Sequence, residues 1–336
     1  MAGRSGKALI QATRPFEQES VARSWFEVGT TFVAYGVVLA AIVTTSSTVF
    51  RVCFAVAAGL VQFRMFALFH AHLHKALLWK SGVAQWLFRG IGIFMLVPRS
   101  VWMQTHNFHH INNAKIDWTS IGSYPVWTRA TYDAATAREQ RRYRMARHPL
   151  KMVFGYLFVG IGGMCINAFL RTPKKNWTGP LALLLHFTLL FVLVRALGIT
   201  TAALVWVVPC AVNHAVASYL FYAQHNFPGT VFFTKGAWSY TDAALAGSSY
   251  FRMGPIMRWL TADIGYHHVH HLNHRIPTYR AAEAMHAIPE LQAPPQTGWR
   301  PREVWACLRL TLWNPATAQM EPLRSARVVK GLREAS

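Results

Sequence analysis

The sequence predicts an all-α membrane protein: four transmembrane helices in two hairpins, a re-entrant or interfacial segment, and a helical cytoplasmic cap. Three observations carry this expectation. Of 336 residues, 53% are hydrophobic and 14% charged, too apolar a mixture for an ordinary soluble domain. The apolar residues fall in runs long enough to cross a bilayer core, which takes about 20 helical residues. The net charge of +21 comes from basic residues that flank those runs instead of lining a soluble face. That placement makes an anionic membrane leaflet, and not nucleic acid, the partner of the charge.

Residues 1–24 carry Arg4, Lys7, Arg14, Glu17 and Glu19 with no apolar core, so a cytoplasmic tail is expected there and not a cleaved signal peptide. The first hairpin is expected over 25–78, as stretches from Trp25 to Val49 and Val52 to Leu78 joined by the polar link Thr44 to Thr48. Residues 79–150 form the first part of the cap. Within it Val83 to Pro98 is apolar but short and contains Arg89, which suits an interfacial position, and Arg138 to Arg147 reads as a charged helix. Basic stretches bracket the apolar segment 151–171: Arg141 to Lys151 before it, and Arg171-Thr-Pro-Lys-Lys175 after it. Both its ends therefore read as cytoplasmic, and the segment as re-entrant or interfacial. The second hairpin is expected over 180–222, turning at the uncharged Gly198-Ile-Thr-Thr201, and residues 223–336 complete the cap and a C-terminal tail. This parity puts the termini and every polar region on the cytoplasmic side. Cys53, Cys165, Cys210 and Cys307 are far apart and form no CxxC pair, so they read as small buried hydrophobes.

The 16 histidines are clustered, as His70-Ala-His72-Leu-His74, His106-Asn-Phe-His109-His110 and His267-His268-Val-His270-His271. On a helix, positions three or four apart share a face. His70 and His74 then point together, as do His106 with His109 and His110, and His267 with His270 and His271, while His72 points away. An HxxHH pattern arises by chance roughly 0.04 times in such a sequence, yet here it occurs twice. Eight clustered imidazoles exceed the three or four protein ligands of a zinc site. Imidazole suits iron, copper, nickel and zinc alike, but ligand number favours two iron ions. Acids able to bridge metals are scarce. The single Glu-x-x-His turn, Glu283-Ala-Met-His286, stands alone and reads as an exposed helix face, unlike the paired turns of soluble carboxylate di-iron bundles. His186 and His214 lie inside the second hairpin, where a bond to a neighbouring helix is the simplest role. His148, His274 and His286 read as surface or structural.

The ordered boxes HxxxH, HxxHH and HxxHH resemble those of the membrane fatty acid desaturases, and most closely the acyl-lipid branch of bacteria and plastids. The resemblance runs from about residue 60 to 315. Its most specific block is Arg258-Trp-Leu-Thr-Ala-Asp-Ile-Gly-Tyr-His-His-Val-His-His-Leu-Asn273, continuing to Arg275-Ile-Pro-Thr-Tyr279. Phe221-Tyr-Ala-Gln-His-Asn-Phe227 resembles the motif in which that branch carries an additional histidine. Tyr143-Arg-Met-Ala-Arg-His-Pro-Leu150 and Leu308-Arg-Leu-Thr-Leu-Trp313 also resemble stretches of it. The resemblance implies di-iron ligands at His70, His74, His106, His109, His110, His267, His270 and His271, with His225 as the ninth. It departs from the family at Ala71, where an acidic residue often follows the first histidine, and at Asp263, where relatives often have Asn. A ligating imidazole normally donates its other N–H to a carboxylate, carbonyl or water. His72, His268 and Asp263 are the candidates for such support.

What the resemblance implies is O2-dependent desaturation of a lipid-linked fatty acyl chain to a cis alkene, in a multi-pass protein of a bacterial inner membrane with its active site on the cytoplasmic side. An unactivated methylene has neither an acidic proton nor a leaving group, so side-chain acid–base chemistry alone does not oxidise it, whereas metal-activated dioxygen does. The chain has no CxxC-type iron–sulfur run and no dinucleotide fingerprint. Electrons must come from a donor such as ferredoxin or a b-type cytochrome, for which a basic cap suits an acidic carrier. Trp79, Trp102, Phe108 and Tyr266 are candidate walls of an acyl tunnel. Three other readings stay open: a lipid or carotenoid hydroxylase, ketolase or alkane monooxygenase with the same metals; a membrane zinc hydrolase; and a histidine-rich metal transporter, which would want ligands along the spans.

Overall fold

The computed structural model describes residues 3–116 and 124–323. The outermost parts of both expected tails, 1–2 and 324–336, and cap residues 117–123 lie outside the described residues. The chain is mostly helical. Its main helices are α1 (Gly6–Thr13), α2 (Val21–Thr44), α3 (Thr48–Leu73), α4 (Gly82–Phe94), α5 (Arg99–Asn112), α6 (Ala137–Ala146), α7 (Thr178–Leu197), α8 (Ile199–Ala223), α9 (His267–Leu272) and α10 (Pro301–Arg309), with a π-helical stretch at Tyr156–Asn167. Among the described residues four of these, α2, α3, α7 and α8, are long and apolar enough to cross a membrane. A helix suits that role because it satisfies every backbone polar group within the segment.

Local chemistry sets the ends of these helices. Ser81 caps α4 by accepting from the Ala84 amide, and Thr136 and Glu139 form a reciprocal capping box at α6. Gly198, at φ 77°, makes the turn from α7 to α8 in a left-handed conformation that a side chain would strain.

α3 is the axis of the molecule, packed between α2 and α8. Gly59 permits that approach, since a Cβ there would stand 2.4 Å from Val212 Cβ. The second apolar pair is splayed: α8 packs along α3, whereas α7 lies against the π-helical stretch and α4. Inside α3, Arg64 is 1% exposed and ion-pairs with Glu27 of α2. It also donates to Thr31 Oγ1 at 2.9 Å and to the Trp259 carbonyl, and lies over the Trp259 ring. This joins α2 and α3 to the cap segment that precedes α9.

The structure departs from the all-α expectation in two small sheets. One orders β1 (Trp127–Thr128), β4 (Leu310–Asn314) and β5 (Gln319–Pro322); the other pairs β2 (Tyr250–Arg252) with β3 (Gln296–Gly298) in parallel. These strands have two to five residues each, too short to show alternation, and β1 meets β4 across some 180 residues of sequence, where no local period reaches. Their junction uses two of the stretches singled out in the sequence. Arg147, 3% exposed, donates to the carbonyls of Pro125 at 2.5 Å and Leu310 at 3.0 Å, to Tyr222 Oη at 2.9 Å and to Asn226 Oδ1 at 2.6 Å. Tyr143 Oη donates to the Thr311 carbonyl.

Residues 3–24 are not a free tail. Leu9 of α1 is fully buried beside α9, and Asn273 donates to Thr13 Oγ1 at 2.8 Å and Glu17 Oε1 at 2.9 Å. Two turns of amphipathic helix are too little apolar surface to stand out in sequence. Cys165, Cys210 and Cys307 are buried free thiols, but Cys53 is exposed, on the outer face of α3.

Truncating one partner of a buried ion pair leaves the other charge uncompensated, at a cost of about 3–5 kcal/mol. Glu27→Ala should therefore lower the thermal midpoint of the detergent-solubilised protein sharply. Replacing Glu27 and Arg64 together by leucine should recover most of the loss. Equal midpoints for Glu27→Ala and the parent would refute the role given to the pair.

Candidate metal centre

Helix ends bring the histidines together. His70 occupies the last turn of α3 and His74 is its C-cap; His106, His109 and His110 occupy the last two turns of α5. His225 follows the end of α8, and His267, His270 and His271 lie on α9. Non-glycine residues with positive φ turn the chain at the ends of these elements: Lys75 (64°) after α3, Ala114 (58°) after α5, and Ala262 (47°) with Asp263 (57°) before α9. Such backbone is held only where the surroundings over-determine it, and it gathers at functional sites.

The nine imidazoles form two groups, His70, His74, His106, His110 and His270 in one and His109, His225, His267 and His271 in the other, with the ligand atoms of each group within 4.8 Å of one another. Helical geometry explains the division and corrects the sequence reading, which had His106, His109 and His110 pointing together. At 100° per residue, positions four apart differ by about 40°, whereas adjacent positions differ by about 100°. His106 and His110 therefore enter the first group while His109 enters the second, and on α9 His267 and His271 enter the second while His270 enters the first.

The Nε2 atoms face inward. In the first group His70 lies 2.7 Å from His106 and 3.1 Å from His74, and His110 lies 3.0 Å from His106 and 3.1 Å from His270. In the second, His225 lies 3.0 Å from His109 and 2.9 Å from His267, and His271 lies 3.3 Å from His109 and 3.1 Å from His267. Neighbouring donors bound to one metal at about 2.1 Å stand about 3.0 Å apart in an octahedral arrangement and about 3.4 Å apart in a tetrahedral one. The observed edges lie in the range that donors sharing one metal ion would show, and the five imidazoles of the first group exceed what a tetrahedral zinc site takes.

Burial pushes the titration of His74, His106, His109, His110, His267, His270 and His271 well below the ordinary imidazole range, and neighbouring imidazoles push it further. For His225 burial gives a value of about 4. All are neutral at pH 7 and present lone pairs, the state a metal requires. His225 Nδ1 donates to the Gly247 carbonyl at 2.9 Å, which holds Nε2 toward its group. The Nδ1 atoms of His106, His110 and His267 are buried without a partner.

The three candidate supports lie elsewhere. His72 Nδ1 donates to the Leu77 carbonyl at 2.9 Å and its ring stacks on Phe88. His268 Nε2 faces the Leu291 carbonyl at 3.2 Å. Asp263 accepts from Arg258 Nε at 2.6 Å, so its carboxylate is engaged by a cation and not by His267. His186 bonds Tyr156 Oη at 2.6 Å and Trp206 Nε1 at 3.2 Å, and His148 caps a helix; neither belongs to the groups. Glu283 pairs with Arg280, and His286 is exposed. His274, read from sequence as surface or structural, instead lies 4.6 Å from the His74 ring and 5.2 Å from the His110 ring. Helical spacing from His270 does not signal it, because α9 ends at Leu272.

A cavity of about 250 Å³ adjoins the first group, lined by Phe66, Trp102, His106, His214 and Phe221 among others. Of the four aromatics proposed from sequence only Trp102 lies on its wall, stacked on His106 with centroids 4.7 Å apart. Phe108 lines a smaller cavity beside His109 and His225, Tyr266 a crevice beside His270, and Trp79 packs near His72 under Lys75.

Residues 12–305 match the family model described as fatty acid desaturase. Over 226 residues the chain is 30% identical to a fatty acid desaturase of Bacillus subtilis (strain 168), a match covering 67% of this chain and 64% of that one. Over 202 residues it is 22% identical to the sn-1 oleoyl-lipid 12-desaturase of Synechocystis sp. (strain ATCC 27184 / PCC 6803 / Kazusa), covering 60% and 57%. The chain thus spans less than two thirds of the length of these relatives.

Two separate donor sets predict two bound transition-metal ions per chain by elemental analysis. His225→Ala should bring the content from about two toward about one, because it removes one of four donors from the second group only. His72→Ala and His268→Ala should leave it near two. Loss of metal in those two variants, or full retention in His225→Ala, would contradict the grouping.

Proposed function

Since this chain belongs to the fatty acid desaturase family, we propose that it introduces a cis double bond into a lipid-linked fatty acyl chain, using dioxygen and two iron ions held by the two histidine groups. The observation that carries the reading is the cavity that meets the first histidine group at His106: an apolar space open to a metal-binding face is what oxidation of a methylene requires. The names of the relatives point to acyl lipids as the substrate class.

Bound iron would supply, with dioxygen, the oxidising power that no side chain has. The protein's part is placement. The ring of Trp102 lies across His106, Phe66 meets Trp102 edge-on at 5.0 Å, and Phe221 lies 4.8 Å from His109. An acyl chain held among these rings brings its methylenes to the metal-facing side and excludes water from it, and the fit along the cavity selects which carbons react. Five and four imidazoles, with no carboxylate in either group among the described residues, favour iron over a single hydrolytic zinc. Electrons would come from an acidic carrier such as ferredoxin or a b-type cytochrome docking on the basic cap. In the membrane, α2–α3 and α7–α8 would form two hairpins with the cap and both termini on the cytoplasmic side. The helix Tyr156–Arg171, shorter than the four candidate spans, would be re-entrant or interfacial.

Expression in a host with a simple lipid profile should yield new cis double bonds, located by mass spectrometry of the lipids. Under 18O2 the product lipid should carry no label; label retained in it would instead mark an oxygen-inserting enzyme. His109→Ala and His270→Ala should each abolish the product. A preparation containing one zinc and no iron, with O2-independent activity, would overturn the reading.

A further inference from the structure

Among the described residues that line the cavity beside the first histidine group, Lys151 is the one Lys, Arg, Asp or Glu. No carboxylate on that wall answers its charge, and its ammonium makes no ion pair or hydrogen bond with a described residue. A cation on an apolar wall is costly unless it reaches water or an anion. A lysine can do so because its methylene stem covers apolar surface while the ammonium points outward. Lys151 is only part-buried, and Leu150, Val153 and Phe154 beside it in sequence are exposed. It therefore stands where the cavity wall meets the outside of the molecule. The exposed side chains change character at the same place. On α6, Arg138, Arg141, Arg142 and Arg144 are exposed, whereas Leu150, Val153, Phe154, Leu157 and Phe158 are the exposed side chains around and after Lys151. Basic side chains followed by outward apolar ones mark a chain that enters a bilayer through its headgroup layer.

We propose, resting on the desaturase reading, that Lys151 is a positioning residue that binds the phosphodiester of a membrane phospholipid at the mouth of the acyl cavity. The lipid phosphate supplies the anion that the wall lacks, and the same molecule supplies the apolar chain that the wall suits. An ammonium is a compact charge with three donors on a flexible stem, so it takes a phosphate without dictating the rest of the headgroup. With the phosphate held there, an acyl chain of that lipid lies in the cavity whose wall includes His106. A glycolipid with the same chains fills the cavity equally well but leaves the ammonium without its anion. The selectivity is therefore for phosphate-bearing membrane lipids over phosphate-free ones.

The test uses the full-length, iron-loaded protein in dodecyl maltoside micelles, whose headgroups carry no phosphate, supplied with reductant and air. Three substrates carry the same saturated chain: a phosphatidylglycerol, a monogalactosyl diacylglycerol and an acyl-CoA. The parent should convert the phosphatidylglycerol with kcat/KM about fivefold above the galactolipid, the scale of one basic residue facing an anionic lipid, and the difference should lie in KM. Lys151→Met keeps the stem and removes the charge; it should erase that preference at unchanged iron content, and Lys151→Arg should restore it. No preference in the parent, a preference that survives Lys151→Met, or an equal fall for both lipids overturns the role given to Lys151 and leaves the desaturase reading intact. Acyl-CoA converted faster than either lipid, with that lead lost in Lys151→Met, assigns the charge to a soluble carrier and overturns the lipid assignment. If the parent desaturates none of the three although its iron is bound, the desaturase reading fails and the role of Lys151 falls with it.

Discussion

Everything in this molecule answers to one constraint: nine neutral imidazoles must be held with their Nε2 atoms a few ångströms apart, away from water. Without a metal that arrangement is unfavourable, because lone pairs converge and several Nδ1 atoms lie buried without partners. Helices meet the constraint well, since an i, i+4 pair presents two rings to one point. His70 with His74, His106 with His110 and His267 with His271 are three such pairs, supplied by three separate elements whose ends meet at the cap.

The elements that bring those ends together are tied by a few buried cations. Arg64 joins α2 and α3 to the segment before α9, and Arg147 joins the end of α6 to α8 and β4. Hydrophobic packing within α2, α3 and α8 sets the spacing of the apolar helices, but it cannot fix the cap, whose pieces come from distant parts of the chain. Directional bonds from guanidinium groups to carbonyls do that. The two short sequence stretches around Tyr143–Leu150 and Leu308–Trp313 make sense in this light: they meet each other through Tyr143 and Arg147.

Much of this was legible in the sequence. Long apolar runs announce candidate spans through length alone, and clustered histidines are conspicuous because chance rarely places them so. The chain's own spacing went further than a count, since it separated His72 from the pair that flanks it. What could not be read were matters of partner choice across long separations. Asp263 looked available to His267 by its place one helical turn earlier, yet the backbone reverses at Ala262 and Asp263 and gives the carboxylate to Arg258. His274 was passed over because the chain leaves the helix at Asn273, and only the tertiary fold returns its ring to His74 and His110. The small sheets were hidden for the same reason, as their strands find partners far along the chain.

The division of the α5 and α9 histidines between the two groups has a mechanical consequence. Each helix is a single rigid lever that carries donors for both groups, so a rotation about its axis that draws His106 and His110 inward swings His109 out of place. The two sites are geared to each other through the backbone. Neither can be loosened, tightened or retuned alone by turning α5 or α9; adjustment of one group alone falls to the end of α3, whose His70 and His74 belong only to the first, or to His225, whose displacement disturbs only the second.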